Sequence, residues 1–234
     1  MAFLSLSKAD PTSRELLKRA VRARYGMRPI PIEGIGLALA GAIPGPLSLQ
    51  IKRTVNLIAT SNYYWRWEEA RKLLFLNQGT TLQVLENGKG YLGKPGELAE
   101  MTTPEAIKGS YIMTWSLLVF LVTPLTVQGV TLQSTGDNTF QAFQNRRPDV
   151  VATVELWAED GISVTADCYY PPAGKVVKLN ISSQGGIQTF GDFAFPQQIV
   201  FTWNGTQRES FNVTGAQPNA QPPQASAPRG SANA

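Results

Sequence analysis

The residues that could do chemistry in this chain are few. It holds no histidine and a single cysteine, Cys168. Without histidine there is no Ser-His-Asp or Cys-His nucleophile, no His-ligated zinc and no imidazole proton shuttle. One cysteine rules out an intrachain disulfide, a cysteine zinc site and a Cys-x-x-Cys redox pair. Cys168 alternates with Ile162, Val164 and Ala166, so it reads as a small buried hydrophobe. The tightest acid cluster is Glu155, Glu159 and Asp160. Paired carboxylates can hydrolyse glycosides, but Glu159 and Asp160 precede Gly161 and read as a solvated hairpin turn. Glu68 and Glu69 are strand neighbours, which sends them to opposite faces. Gly34-Ile-Gly36 lacks the third glycine of a dinucleotide fingerprint. Ser5-Leu-Ser-Lys8 has the spelling of a Ser-x-x-Lys motif but falls in a loose terminus. No metal or cofactor is expected.

Aromatic bulk and charge remain. The chain has 234 residues with 43% hydrophobic content, so a sizeable core is possible, while only 16% are charged, below the usual ~25%. Such a surface leans on Ser, Thr, Asn and Gln, as a β-rich envelope or secreted protein does. Lys and Arg total 21 against 17 acids. The excess is local: Lys8, Arg14, Lys18, Arg19, Arg22, Arg24 and Arg28 face only Asp10 and Glu15 in the first 28 residues. Nucleic-acid binding is therefore not expected, whereas a basic arm meeting an anionic surface fits.

The elements that must position these residues follow from periodicity. Asp10-Pro11 predicts an N-cap and first helical position, with a helix to about Tyr25 that Gly26 ends. Leu17, Val21 and Arg24 lie on one side with Leu16, Ala20 and Ala23 beside them, and Arg14, Lys18, Arg19 and Arg22 fall on the other, so the helix is basic and amphipathic. Residues 29–46 read as a Pro/Gly/Ala linker, and Gly34–Ile51 as a weak candidate for a signal's apolar region. Alternation from Leu47 to Leu57 predicts a strand, and Tyr63–Leu76 a second with Trp65, Trp67, Leu73 and Phe75 on one face. Asn87-Gly88 marks a tight hairpin. Thr103-Pro104-Glu105 starts a helix reaching about Leu121, apolar nearly all round and therefore buried. It is too short to span a bilayer. Strands then resume over 126–132, 140–144, 150–158, 162–170, 175–181, 187–193, 197–203 and 206–213, with turns at Asp160-Gly161, 171–174, 184–186 and Asn204-Gly205. Residues 1–10 are expected to be disordered, 11–215 to form one domain, and the Pro/Ala/Gln-rich stretch 216–234 to be a disordered tail.

About ten strands joined by tight turns exceed a flat antiparallel sheet and should curl. The apolar helix belongs on the concave face. The expected fold is α+β, mainly antiparallel β: a curled half-barrel sheet enclosing a hydrophobic plug helix, with an N-terminal amphipathic helix.

This order resembles the LolA/LolB-like superfamily of outer-membrane lipoprotein carriers and envelope lipid-binding proteins over about Leu16–Val213. The resemblance rests on Leu47-Ser-Leu-Gln-Ile-Lys52, Tyr64-Trp-Arg-Trp67, the Glu86-Asn-Gly-Lys89 hairpin, the helix ending near Leu121-Val-Thr-Pro124, the Cys168–Lys178 strand-turn-strand and Phe190-Gly-Asp-Phe-Ala-Phe-Pro196-Gln-Gln-Ile199. The family's turn usually carries an acid where Pro171 stands, and its Tyr/Arg pair is missing. The resemblance implies a cavity for acyl chains and no chemistry. On that basis Trp65, Trp67, Leu73, Phe75, Trp115, Leu118, Phe120, Trp157 and Trp203 are the candidate ligand-binding residues. Arg14, Lys18, Arg19 and Arg22 are the candidates for contact with an anionic membrane surface or an envelope protein partner. The expected protein is a non-enzymatic monomer of the periplasm or cell envelope that binds or transports a lipid or lipoprotein acyl group. The alternatives are an envelope interaction module with a solid core and a small His-independent enzyme on the same fold.

Overall fold

The computed structural model describes residues 8–25, 31–126, 129–157, 161–170 and 173–223. Fourteen strands among them form one sheet: β1 Lys8–Ala9, β2 Gly34–Pro44, β3 Gln50–Thr60, β4 Trp65–Leu73, β5 Leu76–Glu86, β6 Lys89–Lys94, β7 Glu97–Glu100, β8 Val130–Gly136, β9 Thr139–Gln144, β10 Arg147–Leu156, β11 Ile162–Tyr170, β12 Lys175–Phe190, β13 Phe193–Trp203 and β14 Gln207–Pro218. Their spatial order is β1-β8-β9-β10-β11-β12-β13-β14-β2-β3-β4-β5-β6-β7. Every pair is antiparallel except β1 with β8. The sheet is open, with β1 and β7 at its edges, and it curls around a helix. This is the mainly antiparallel α+β half-barrel that the alternating pattern implies.

Helix α1 spans Pro11–Tyr25 and α2 spans Pro104–Phe120. Asp10 caps α1: its carboxylate accepts from the Ser13 backbone N–H at 2.9 Å and the Ser13 hydroxyl at 2.7 Å. It also accepts from the backbone N–H of Ser134 on β8 at 2.7 Å, so one side chain ties helix to sheet. These donors hold the carboxyl well below its usual 3.8. A folded pKa below the unfolded one gives stability that is full above the usual carboxylate range and is lost as pH falls through it toward the folded value. Asp10→Ala should cost about 1 kcal/mol at neutral pH, and the deficit should shrink below about pH 4; urea midpoints at the two pH values check this.

The buried side of α1 is Leu16, Leu17, Ala20, Val21 and Arg24. Arg24 has no acid beside it among the described residues. Its guanidinium carbon sits 4.5 Å over the Phe120 ring, and burial pulls its pKa down. The Tyr25 hydroxyl donates to the Leu121 carbonyl at 2.7 Å. Along α2 the stretch Gly109–Ile112 and Thr114–Phe120 is buried, packed against β10, β11 and β12. Gly109 permits this approach, since a Cβ there would meet the Tyr169 Cβ at 2.7 Å. No helix among the described residues is long and apolar enough to cross a membrane.

Several expected boundaries change. The linker 29–46 is in large part β2, near the middle of the sheet between β14 and β3. Ile35, Leu37 and Leu39 point inward at 3% exposure or less, while Gly36, Ala38 and Ala40 occupy the other face. Those small residues hide the alternation. The candidate signal region is thus structural. Leu47 is not in a strand: it lies in a short 3-10 turn with a positive φ of 55°. The expected strand Tyr63–Leu76 stops at Leu73, because Leu74 turns with φ 56°. The turn at 184–186 is a bulge inside one long strand, β12, with Gly185 at φ 72°. The expected tail boundary at 216 falls inside a strand. β14 pairs through Pro218 with Ile35, and Ala220 is buried, because Gly34 and Gly36 leave room for it. At the other end, Lys8 and Ala9 pair with β8 and are not disordered. Residues 1–7 and 224–234, Gly26, Glu159 and Asp160 lie outside the described residues. The Asn87-Gly88 and Asn204-Gly205 turns stand as expected, each residue with a positive φ.

Candidate functional site

A cavity of about 860 Å³ opens between the concave face of the sheet and the N-terminal half of α2. One wall is strand side chains: Trp65 and Trp67 of β4, Phe201 and Trp203 of β13. The opposite wall is α2, through Ala106, Gly109, Ser110 and Met113, and the rim includes Leu92, Ala99 and Met101. Period two explains the strand wall, since residues 65, 67, 69 and 71 share one face. The rings pack on each other. Trp67 stands edge-on to Phe201 and Phe211 at centroid distances of 6.0 and 5.9 Å, and Tyr170 lies 4.6 Å from Trp203.

The same face carries a buried ion network that the aromatic pattern overshadowed. Arg53 Nε and Nη2 donate to the two oxygens of Glu69, both at 2.8 Å. Arg53 Nη1 donates to Glu209 Oε2 at 2.5 Å, and Arg71 Nε to Glu69 Oε1 at 2.5 Å. Trp67 Nε1 also donates to Glu69, at 3.3 Å. The side chains of Arg53 and Glu69 are only 6% and 4% exposed. Burial by itself would lower the Arg53 pKa, but the Glu69 and Glu209 carboxylates outweigh it and hold it raised. Burial would likewise raise Glu69, and the two guanidinium groups overcome that and lower it. To reach Glu209 on β14, Arg53 on β3 crosses β2 at Gly41, the residue paired with both Arg53 and Phe211. A Cβ at Gly41 would lie 2.9 Å from the Phe211 ring, the ring that Arg53 covers at 4.7 Å.

Of the expected ligand residues, the cavity brings together Trp65, Trp67 and Trp203. Trp115, Leu118 and Phe120 are core on the far half of α2. The Trp115 indole donates to the Ala142 carbonyl at 2.9 Å, and Leu118 and Phe120 are fully buried. Leu73 closes β4 away from the cavity lining. Phe75 is 88% exposed in the β4–β5 turn, and Trp157 is exposed beyond the end of β10. These six do not line the cavity: helical period and strand ends turn them elsewhere. Cys168 is buried at the cavity wall, its thiol donating to the Gly109 carbonyl at 3.4 Å, and burial pushes its pKa up to about 12. Burial of this kind disfavours the thiolate form.

Arg14, Arg19 and Arg22 are exposed and Lys18 half-buried on the outer side of α1. Lys18 pairs with Glu15 at 2.5 Å, and Arg19 donates to Asn138 at 2.9 Å. A second exposed feature was not anticipated. Leu74, Phe75 and Leu76 form the apolar tip of the β4–β5 hairpin, and Leu47 is 92% exposed in the β2–β3 turn. Both turns lie at one end of the sheet, because Ile51 pairs with Ile43 on one side and Leu73 on the other. Ile43 and Pro44 there also line the cavity.

The fold and the site together define an open antiparallel half-barrel around an internal helix, with a ligand-sized cavity between the two. No protein-family model matches the chain, and no curated protein is similar to it in sequence. Among solved structures it is similar to a LolA superfamily protein from Nitrosomonas europaea, with 8% identity, 91% of this chain and 96% of that one covered and a TM-score of 0.46. It is also similar to LprF from Mycobacterium bovis, with 12% identity, coverage of 93% and 98% and a TM-score of 0.35.

Proposed function

We propose that this chain binds the acyl chains of a lipid or lipoprotein in the cavity between sheet and α2, without catalysing a reaction. The observation that carries the reading is the cavity itself. Its volume of about 860 Å³ falls in the range of small-molecule sites. Trp65, Trp67, Phe201, Trp203, Leu92, Met101 and Met113 give it an apolar lining against which methylenes gain about 0.8 kcal/mol each. A solid interaction module would have no such space. The apolar turns at the end of the sheet lie where an acyl chain could pass between the cavity and a lipid surface. The basic side of α1 (Arg14, Lys18, Arg19, Arg22) is the surface offered to an anionic membrane or an envelope protein. The cell envelope is the compartment in which such a carrier works.

Titration with a fluorescent fatty-acyl probe tests this. Saturable uptake is expected. Ala106→Trp places an indole in the cavity and denies room to at least two methylenes, which should weaken uptake about tenfold or more. Absence of uptake by the unsubstituted chain would refute the reading.

A further inference from the structure

The cavity is apolar in its aromatic wall but not throughout. Its lining includes three bases, Arg53, Arg71 and Arg208, and three acids, Glu69, Glu100 and Glu209, so its formal charge is balanced. The bonds within the network leave two groups open. Arg53 uses all its nitrogens on Glu69 and Glu209. Arg71 gives only Nε to Glu69, and its two terminal nitrogens have no hydrogen-bond partner among the described residues. Its side chain is 45% exposed at the cavity. Glu209 accepts at Oε2 alone, leaving Oε1 without a donor among the described residues. An open guanidinium edge and an open carboxylate oxygen thus sit at the two ends of one buried network, with Arg53 fixed between them.

We propose that the cavity takes a zwitterionic amphiphile, its phosphate on Arg71, its ammonium on Glu209 and its chain along Trp65, Trp67 and Met113. This rests on the acyl-binding reading of the same cavity and names the head group it selects. The planar guanidinium edge matches phosphate oxygens, and the carboxylate accepts from an ammonium. An uncharged head offers both groups only neutral hydroxyls, which bond more weakly than charged partners. A net-anionic head brings surplus negative charge against Glu69 and Glu209 and offers Glu209 only a neutral hydroxyl in place of an ammonium.

The test compares four compounds as displacers of the fluorescent acyl probe from the full chain. Three share one acyl chain: lysophosphatidylethanolamine, lysophosphatidylglycerol and monoacylglycerol. The fourth is glycerophosphoethanolamine, the head without the chain. The zwitterionic lipid should bind about tenfold more tightly than monoacylglycerol and more tightly than the anionic lipid, while the bare head displaces nothing. In Arg71→Met the ratio of zwitterionic to uncharged affinity should fall to near one. A preference for the anionic lipid, a ratio near one in the unsubstituted chain, or an Arg71→Met variant that weakens both lipids alike would overturn the head-group assignment while leaving acyl binding intact. Displacement by the bare head would show a free-phosphate site instead. If no acyl compound binds, the acyl reading falls and this inference with it.

Discussion

Arg53→Met should destabilise the fold by about 3–5 kcal/mol, the cost of removing one partner from a buried ion pair. Glu69 would keep Arg71 and the Trp67 N–H but lose both strong donors on its buried side. Glu209 would lose its guanidinium as well. The pH dependence should change with it. In the native chain Glu69 lies below its ordinary pKa, so its contribution is complete above the unfolded value of about 4.3 and is lost as pH falls toward the folded one. In Arg53→Met, burial is opposed only by Arg71 and the weaker Trp67 N–H, and the loss on acidification should begin at higher pH. The double variant Arg53→Met/Glu69→Met should recover most of the stability, because a buried pair replaced on both sides by apolar groups is often neutral. Urea unfolding of the single and double variants measures all of this. A single variant within 1 kcal/mol of the native chain would mean the network contributes little.

Phe120→Ala should cost a similar amount, about 3–5 kcal/mol. Phe120 is fully buried near the end of α2, and its ring is the surface on which the buried Arg24 guanidinium rests. Deleting the ring opens a void and removes the cation–π contact on which a buried charge rests. This residue separates two roles that helical hydrophobicity alone cannot. Phe120 belongs to the core and not to the cavity, so the loss should appear in the urea midpoint. Uptake of the acyl probe should fall only as far as the folded fraction falls. A large drop in uptake by fully folded Phe120→Ala would place the binding site on the far half of α2.

How far the sequence discloses this architecture can be read from particular residues. The curled sheet and buried helix are legible because β10, β11 and β13 alternate strongly and because α2 is apolar on every side. Strand β2 is not legible as a strand: Gly36, Ala38 and Ala40 on its second face give no polar contrast, so Ile35, Leu37 and Leu39 resemble a loose linker. The hairpin tip is misplaced because Leu74, Phe75 and Leu76 continue an apolar run while the backbone turns at Leu74. Within the site, Trp65, Trp67 and Trp203 follow from aromatic content and period two. The ion network was within reach of the same rule. Arg53 sits in phase with Ile51, Val55 and Leu57, and Glu69 and Arg71 in phase with Trp65 and Trp67. Charged residues at inward positions of an apolar alternation are the signal. Their partner Glu209 is a matter of sheet order, since β14 reaches β3 only across β2, which no local pattern encodes.

Whether the cavity holds acyl chains is decided by native mass spectrometry of the purified chain, followed by denaturation and lipid extraction. The expected result is a mass above that of the bare chain, released on denaturation and carrying an acyl group, or the appearance of such a mass after incubation with lipid vesicles. A bare mass that persists after that incubation would contradict it.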